Sequence, residues 1–140
     1  MKKIHIKNFL RGQFIFAVFV IIFMMQTSCS SSQNNSLDGK TFSIQTMEKD
    51  KQETAVAETC LFEAGFFDNI DCHQYGFSKG KYKADRAGED LINFEATMES
   101  EKEGKMIWKG EVDHGKLKGE MVWKKEGQAD VAFTFSGTIK

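Results

Sequence analysis

The hairpin predicted over residues 105–125 constrains the fold more than any other part of the sequence. Two stretches of alternating apolar and charged residues flank His114-Gly115, a two-residue loop of the kind that joins antiparallel strands. Pairing Asp113 with Lys116 places an apolar residue or a glycine opposite another at every second position. These facing pairs are Val112–Leu117, Gly110–Gly119, Trp108–Met121 and Met106–Trp123. A one-residue slip would expose both tryptophans, so the sequence predicts a single register.

The other face of the hairpin carries opposite charges at facing positions. Glu111 lies opposite Lys118, and Lys109 lies opposite Glu120. Cross-strand pairs of opposite charge contribute roughly 0.2–1 kcal/mol each. The charged face therefore supports the same register as the apolar face.

The same alternation recurs from Leu37 onward, with glycine-containing turns at the short spacing typical of antiparallel barrels and sandwiches. We predict eight strands, at 40–47, 55–62, 66–73, 80–84, 90–99, 105–113, 116–125 and 129–139. Short turns between eight strands favour an all-β fold over 37–140, a single small up-and-down antiparallel barrel. In the charged stretch Glu48–Glu58 a helical turn is the alternative.

Two aromatic residues are expected beside the glycines of the hairpin. Continuing the alternation into the flanking strands places Phe94 opposite Gly110 and Phe135 opposite Gly119. A ring beside a strand glycine covers it while the sheet bends, as a small barrel requires. Because glycine has no side chain, Gly110 and Gly119 indicate either corners of the sheet or internal space for a ligand.

The first 36 residues differ from the domain and have the layout of an export signal. Four basic residues and no acid precede the twelve-residue apolar run 14–25, which is shorter than the roughly 20 residues of a membrane span. Ser28-Cys29 resembles the lipobox of bacterial lipoproteins, although Gln26 stands where that pattern usually has leucine. The resemblance implies a signal peptide over 1–28, acyl chains such as palmitate on Cys29, and a flexible tether over 29–36.

The charge that cleavage would leave bears on the partners of the mature chain. Removing 28 of the 140 residues leaves 112, and takes away four of the 19 basic residues and none of the 20 acidic ones. The remaining 15 basic and 20 acidic residues give a formal charge of −5, which argues against nucleic acid as a partner. We expect attachment to the membrane through the lipid anchor alone. Because no charged residue follows Cys29 in the tether, a periplasm-facing position in the cell envelope is expected.

The residue types that carry catalysis are scattered over the domain. The mature chain has two histidines, His73 and His114, and nothing in the sequence places a serine beside either. Cys72 and His73 are adjacent, so in a strand they point to opposite faces and make a poor shared metal site. We therefore expect no enzyme activity, no metal site and no cofactor.

The sequence does not decide whether Cys60 and Cys72 form a disulfide. An oxidising envelope favours the bond. In a hairpin that turns near Gly65, Cys60 faces Asp68 or Asn69, and Cys72 lies about 10–13 Å further along an extended strand. A disulfide requires Cα atoms within about 7 Å, so it would need a bulge or a curled strand.

Motifs spread over the domain resemble those of a group of small bacterial envelope lipoproteins that has no established activity. They are Leu37–Phe42, Cys72–Phe77 with Tyr82, Phe94–Ala96 with Ser100–Lys102, Trp108–Gly110, Gly119 with Trp123, and Phe135–Gly137. The opening Leu-x-Gly and the glycine-rich meander are also similar to those of lipocalin-like, or calycin, barrels. The resemblance implies the fold and assigns no residue a role.

We expect the domain to bind rather than to catalyse. In the first hypothesis a small apolar or amphipathic ligand lies inside the barrel, lined by Phe94, Met106, Trp108, Met121, Trp123 and Phe133. In the second, Tyr75, Phe77 and Tyr82 form a rim that docks a protein, because the Tyr-Gly-Phe corner interrupts the alternation. The segment 78–82 resembles a loop of small lipoproteins that inhibit lysozyme, which implies a lysozyme as the partner. An eight-stranded barrel can also be filled by its own side chains, which would leave a purely structural envelope role.

Overall fold

The hairpin at His114-Gly115 forms in the predicted register in the computed structural model, which describes residues 37–51 and 55–140. Asp113 pairs with Lys116, and the apolar and glycine pairs follow as predicted. His114 and Gly115 both have positive φ, 47° and 76°. A two-residue turn with two positive φ angles matches the twist of the flanking strands, which explains why this loop joins them.

Eight strands follow one another around the barrel. They are β1 (Lys40–Glu48), β2 (Val56–Glu63), β3 (Phe66–Asn69), β4 (Gly80–Arg86), β5 (Leu91–Ser100), β6 (Gly104–Asp113), β7 (Lys116–Lys124) and β8 (Val131–Ile139). Each strand is antiparallel to its neighbours, and β1 also pairs with β8, which closes the barrel. The predicted all-β up-and-down barrel is confirmed, and the bounds agree within two residues everywhere except at the end of β3.

Strand β3 is shorter than predicted because a 3₁₀ helix, Ile70–Tyr75, follows it. The Asn69 side chain accepts a hydrogen bond from the Asp71 N–H at 3.2 Å, which caps the start of this helix. Gly76 ends it with a φ of 78°. The strand predicted over 66–73 is therefore wrong beyond Asn69.

Two predictions fall wholly or partly outside the described residues. The signal peptide, Cys29 and the tether all lie before Leu37. In the stretch 48–58, β1 ends at Glu48 and β2 begins at Val56, and residues 52–54 are not described. The alternative of a helical turn in this stretch therefore stays a prediction.

The inward positions of the strands form an aromatic core in the middle of the barrel. Phe62 is fully buried, and four rings lie 5.0–5.9 Å from it, centroid to centroid. These rings are Phe42, Phe67, Tyr82 and Phe94. Trp108 extends the cluster, because its ring lies 5.1 Å from both Phe67 and Phe135. Aromatic pairs at such separations add to the stabilisation that burial alone provides.

The facing glycines Gly110 and Gly119 make room for this core. As predicted, Phe94 lies opposite Gly110 and Phe135 lies opposite Gly119. A Cβ atom on Gly119 would lie 2.6 Å from Phe135 Cζ and 2.2 Å from the Lys109 carbonyl oxygen. The rings themselves occupy the space beside the glycines, so these positions hold no room for a ligand.

The outer face of the hairpin confirms one of the two predicted charge pairs. Glu111 and Lys118 form a salt bridge of 3.0 Å. Lys109 is in register with Glu120, but its Nζ atom instead contacts Glu95 on β5 at 2.8 Å. The predicted facing positions are therefore confirmed for both pairs, but of the two only Glu111–Lys118 forms a salt bridge, because the neighbouring strand offers Lys109 another carboxylate.

The two ends of the barrel differ. At the end that holds the β2–β3 turn, Leu37 is fully buried. The Asp38 carboxylate accepts hydrogen bonds from the Tyr82 hydroxyl at 2.7 Å and from the Gly65 N–H at 3.0 Å. We call this the closed end. The opposite end, which holds the 3₁₀ helix and the β5–β6 and β7–β8 connections, is the open end.

Candidate functional site

A cavity of about 410 Å³ lies at the open end of the barrel. Its wall comes from strands β1, β2, β6, β7 and β8 and from the 3₁₀ helix with the residues that follow it. Nine of the lining residues are apolar or aromatic: Met47, Val56, Cys72, Tyr75, Phe77, Met106, Met121, Trp123 and Phe133. The volume lies in the range of small-molecule sites, about 300–1,000 Å³.

The structure brings together four of the six residues predicted to line a ligand site. Met106, Met121, Trp123 and Phe133 all lie in the cavity wall. Phe94 and Trp108 do not, because they are 2% and 0% exposed within the aromatic core. Alternation in the sequence identifies the inward face correctly, but it carries no information on depth along the barrel.

The residues predicted to form one rim are divided between the two ends. Tyr75 and Phe77 line the cavity, and Tyr75 is 57% exposed. Tyr82 is buried and bonds to Asp38 at the closed end. The reason is the 3₁₀ helix, which carries Tyr75 and Phe77 to the open end, whereas β4 runs back towards the closed end. The prediction of a single rim is therefore wrong.

A buried polar cluster forms one side of the cavity. Glu58 lies on the inward face of β2, where Cys60 and Phe62 follow it at every second position. Its Oε2 atom accepts a hydrogen bond from Thr46 Oγ1 at 2.7 Å and another from Asn69 Nδ2 at 3.0 Å. Thr46 and Asn69 are 6% and 0% exposed. These neutral donors fix the carboxylate in place, and no described residue forms a salt bridge with it.

Glu58 and its two donors are not among the site residues predicted from the sequence. A signal was nevertheless present, because Val56, Glu58, Cys60 and Phe62 alternate as one face of the predicted strand 55–62. A single acid among apolar residues on an inward face indicates a partnered or functional carboxylate.

Two other carboxylates line the described part of the cavity wall, and both have a lysine partner. Glu48 pairs with Lys51 at 2.8 Å, and Glu103 pairs with Lys125 at 2.8 Å. The Glu103 carbonyl oxygen also accepts a hydrogen bond of 2.6 Å from Trp123 Nε1. This bond fixes the indole ring in the cavity wall.

Cys60 and Cys72 are both buried and occur as free thiols, not as a disulfide. Cys60 pairs with Asn69, one of its two predicted partners. Cys72 lies in the cavity wall, with its Sγ atom 3.9 Å from Met106 Sδ. The predicted separation assumed an extended strand up to Cys72, which the 3₁₀ helix replaces.

Burial and nearby acids keep both thiols protonated. Burial is the largest cause, and the charge of Glu58 the next, of a rise in the pKa of Cys72 to about 12. The same two causes raise the pKa of Cys60 well above its ordinary value. A thiol must lose its proton to act as a nucleophile, so neither cysteine is activated.

The two described histidines, His73 and His114, lie outside the cavity wall. His73 Nε2 contacts Asp68 Oδ1 at 2.8 Å, and His114 lies in the closed-end turn between Asp113 and Asp90. Over residues 37–51 and 55–140, no three His, Cys, Asp or Glu side chains are grouped to hold a metal ion. Within the same ranges there is no helix with the length and apolar character to cross a membrane.

Comparisons with protein-family models, with curated proteins and with solved structures gave no match for this chain. The closed antiparallel barrel of eight strands is compatible with the lipocalin-like fold that the sequence resembles. Any functional conclusion therefore depends on the geometry of the cavity.

Proposed function

We propose that this protein is a non-catalytic binding module of the bacterial cell envelope, which holds a small apolar or amphipathic molecule at the open end of its barrel. The observation that carries the proposal is the cavity of about 410 Å³ with its largely apolar wall. The centre of the same barrel is filled by aromatic rings, whereas this cavity lies at one end. A concave, mostly apolar cavity with a few fixed polar groups is the usual form of a small-molecule site.

The composition of the wall supports a preformed but adaptable site. Most of the lining residues lie on barrel strands, and Trp123 is held by its hydrogen bond to Glu103. Met106 and Met121 add flexible, polarisable thioethers, which adjust to ligands of different shape. The fixed indole ring and the flexible methionine side chains therefore favour binding of ligands whose apolar portion packs against this wall.

Exposed apolar residues at the open end support access of a ligand to the cavity from solution. Among the described residues five large apolar side chains are exposed, and four of them belong to the open end. These four are Met47, Val56, Ile70 and Tyr75. Clustered exposed apolar residues commonly mark ligand or partner sites.

The non-catalytic part of the proposal follows from the chemistry of the wall. Cys72 is the one cysteine in the described part of the cavity wall, and its thiol is protonated at neutral pH. No histidine lines the part of the cavity that the structure describes, so no imidazole base is placed beside a ligand.

Ligand binding is tested by native mass spectrometry of the full chain purified from its own envelope. We expect an additional small mass that denaturation removes. Val56→Trp, which narrows the mouth, should abolish this mass. Ile139→Trp is the matched control, because Ile139 is also an exposed apolar residue but lies at the closed end. A chain without any bound mass would contradict the proposal, and a co-purifying protein would favour a docking function.

The envelope location is a separate part of the proposal and depends on the sequence before Leu37. The basic, apolar and small-residue layout that ends at Ser28-Cys29 supports export, cleavage and acylation of Cys29. We expect mass spectrometry of the membrane fraction to find an acylated peptide that begins at Cys29. A Cys29→Ser variant that stays attached to the membrane would contradict this.

A further inference from the structure

We propose that the ligand of the cavity is an organic cation, a protonated amine on an apolar body, and that the Glu58 carboxylate binds its ammonium group. This inference rests on the proposed function, because it assigns a ligand class to the same cavity. It is carried by the charge, the geometry and the aromatic content of the wall.

All the charged residues that line the described part of the cavity are acidic: Glu48, Glu58 and Glu103. Glu48 and Glu103 are each paired with a lysine at 2.8 Å. Within residues 37–51 and 55–140, Glu58 forms no salt bridge and has only the neutral donors Thr46 and Asn69. One carboxylate therefore faces the cavity without a countercharge. A buried or half-buried charge of this kind favours a ligand that supplies the opposite charge.

The two oxygens of Glu58 have different roles. Both protein donors bind Oε2, the hydroxyl of Thr46 at 2.7 Å and the amide of Asn69 at 3.0 Å. Within the described part of the chain, Oε1 accepts no hydrogen bond, and it is not among the buried atoms that lack a partner. Oε1 therefore remains accessible to a donor in the cavity, while Oε2 fixes the orientation of the group. A protonated amine is the donor that gives the strongest bond to such an oxygen.

The electrostatic potential at the wall has the sign that such a ligand needs. After burial, which is the largest cause, the carboxylates of Glu58, Asp71 and Asp68 all raise the pKa of the Cys72 thiol. Acids that disfavour a thiolate at this place also disfavour the carboxylate of a fatty acid. The same negative potential favours an ammonium group, so the site discriminates between amphiphiles by head-group charge.

Aromatic residues provide the remaining part of the wall. Tyr75, Phe77, Trp123 and Phe133 all line the cavity. The faces of aromatic rings attract cations, most strongly for tryptophan, and the ring surfaces also pack against an apolar body. A carboxylate beside aromatic rings is thus suited to an amine with an alkyl or aryl portion.

The test compares hexylamine, 1-hexanol and hexanoate, which share one alkyl chain and differ in head-group charge. Titration calorimetry with the full chain in detergent, and with detergent alone as the blank, measures the three dissociation constants at neutral pH. We expect hexylamine to bind about tenfold or more tightly than 1-hexanol, as a charge-assisted hydrogen bond provides. Hexanoate should bind most weakly.

The variant Glu58→Gln should remove the advantage of the amine, so that hexylamine binds no more tightly than 1-hexanol. Glu111→Gln is the matched control, because Glu111 lies on the outer face of the barrel and pairs with Lys118. It should preserve the order of the three probes. The comparison of probes on the unmodified chain keeps the inference testable even if Glu58→Gln does not fold.

The outcomes separate this inference from the proposed function. If the three probes bind to the unmodified chain with similar affinity and Val56→Trp weakens all of them, the cavity binds ligands but the preference for cations is wrong. If none binds, both proposals are contradicted. If the amine is preferred and Glu58→Gln keeps that preference, Glu58 is not the group that recognises the amine.

Discussion

The closed and the open ends of the barrel use equivalent inward-facing positions in opposite ways. On β2 the inward-facing residue nearest the closed end is Phe62, a fully buried ring with four aromatic neighbours. Four residues earlier on the same face is Glu58, a carboxylate held by two neutral donors beside a cavity. One strand therefore contributes a packing residue at one end and a charged residue at the other.

The difference shows how a small barrel combines stability with a binding site. Burying aromatic rings is strongly favourable, whereas keeping a carboxylate half-buried without a countercharge is not. The closed end, where Leu37 and Phe62 are fully buried, provides the packing on which the barrel depends. The open end, with Glu58 and the exposed Tyr75, is packed less tightly and leaves a cavity that a ligand can enter from solution. Substitutions should therefore separate stability at one end from binding at the other.

The largest loss of stability is expected for Phe62→Ala. Truncation of a fully buried aromatic residue costs about 3–5 kcal/mol, because it removes buried surface and leaves a cavity. Phe133→Ala at the open end should cost less than half as much, since Phe133 is half-buried and already borders a cavity. Urea unfolding measures both values, and Phe62→Leu replaces Phe62→Ala if the latter does not fold. Equal costs at the two positions would contradict the division of roles.

A smaller loss is expected for Asp38→Ala, which removes the acceptor shared by Tyr82 and Gly65. Two hydrogen bonds to a carboxylate are lost, but Asp38 is exposed, so the expected cost is about 1–2 kcal/mol. Tyr82→Phe is the matched variant and removes only one of the two bonds, so its cost should be lower. Chemical unfolding gives both values. A cost for Tyr82→Phe equal to that for Asp38→Ala would show that the Gly65 bond does not contribute.

The features that were predictable from the sequence are those on which two independent patterns agree. The register of residues 105–125 is supported by apolar pairs on one face and by Glu111–Lys118 on the other. The positions of Phe94 and Phe135 beside glycines then follow from continued alternation. Alternation determines the face of a strand because its period is two, and the fold depends mainly on faces.

The candidate site depends on depth and on local backbone conformation, which alternation does not report. Trp108 and Met106 share a face, yet only Met106 reaches the cavity. The 3₁₀ helix was missed because Ile70-Asp71-Cys72 alternates like a strand, and only the flanking Asn69 and Gly76 indicate a helical turn. Without that turn, the sequence could not place Tyr75 beside residues of β6 and β7.

The ionisation of Tyr82 at the closed end can be followed by spectroscopy. Burial, and then the hydrogen bond to Asp38 and its charge, raise the pKa of Tyr82 above its ordinary value. In a Tyr75→Phe background Tyr82 is the one remaining tyrosine. Ultraviolet titration of phenolate should therefore begin above about pH 10, the value for an unperturbed tyrosine.

The sign of the effect on folding follows from the direction of this pKa shift. The un-ionised Tyr82 phenol contributes its full stabilisation below about pH 10, where the unfolded chain also keeps the proton. Above that pH the unfolded chain releases the proton more readily than the folded chain, so the free energy of unfolding decreases. Asp38→Ala removes two of the causes and should lower the pKa of Tyr82. An unchanged titration curve in Asp38→Ala would contradict the assignment.

The smallest effect on the fold is expected for alkylation of Cys72. Its rate reports directly on the burial and the charge of the open end. A thiol with a pKa of about 12 has a thiolate fraction at pH 8 that is lower by on the order of a thousandfold than that of an unperturbed cysteine. Iodoacetamide should therefore modify the folded chain very slowly, as measured by intact mass and peptide mapping. Glu58→Gln removes a charge that raises the pKa of Cys72, so alkylation of Cys72 should become faster while hexylamine protects it less. Rapid alkylation of Cys72 in the unmodified chain would show that its thiol is neither buried nor close to uncompensated acid, and the contrast between the two ends would then rest on packing alone.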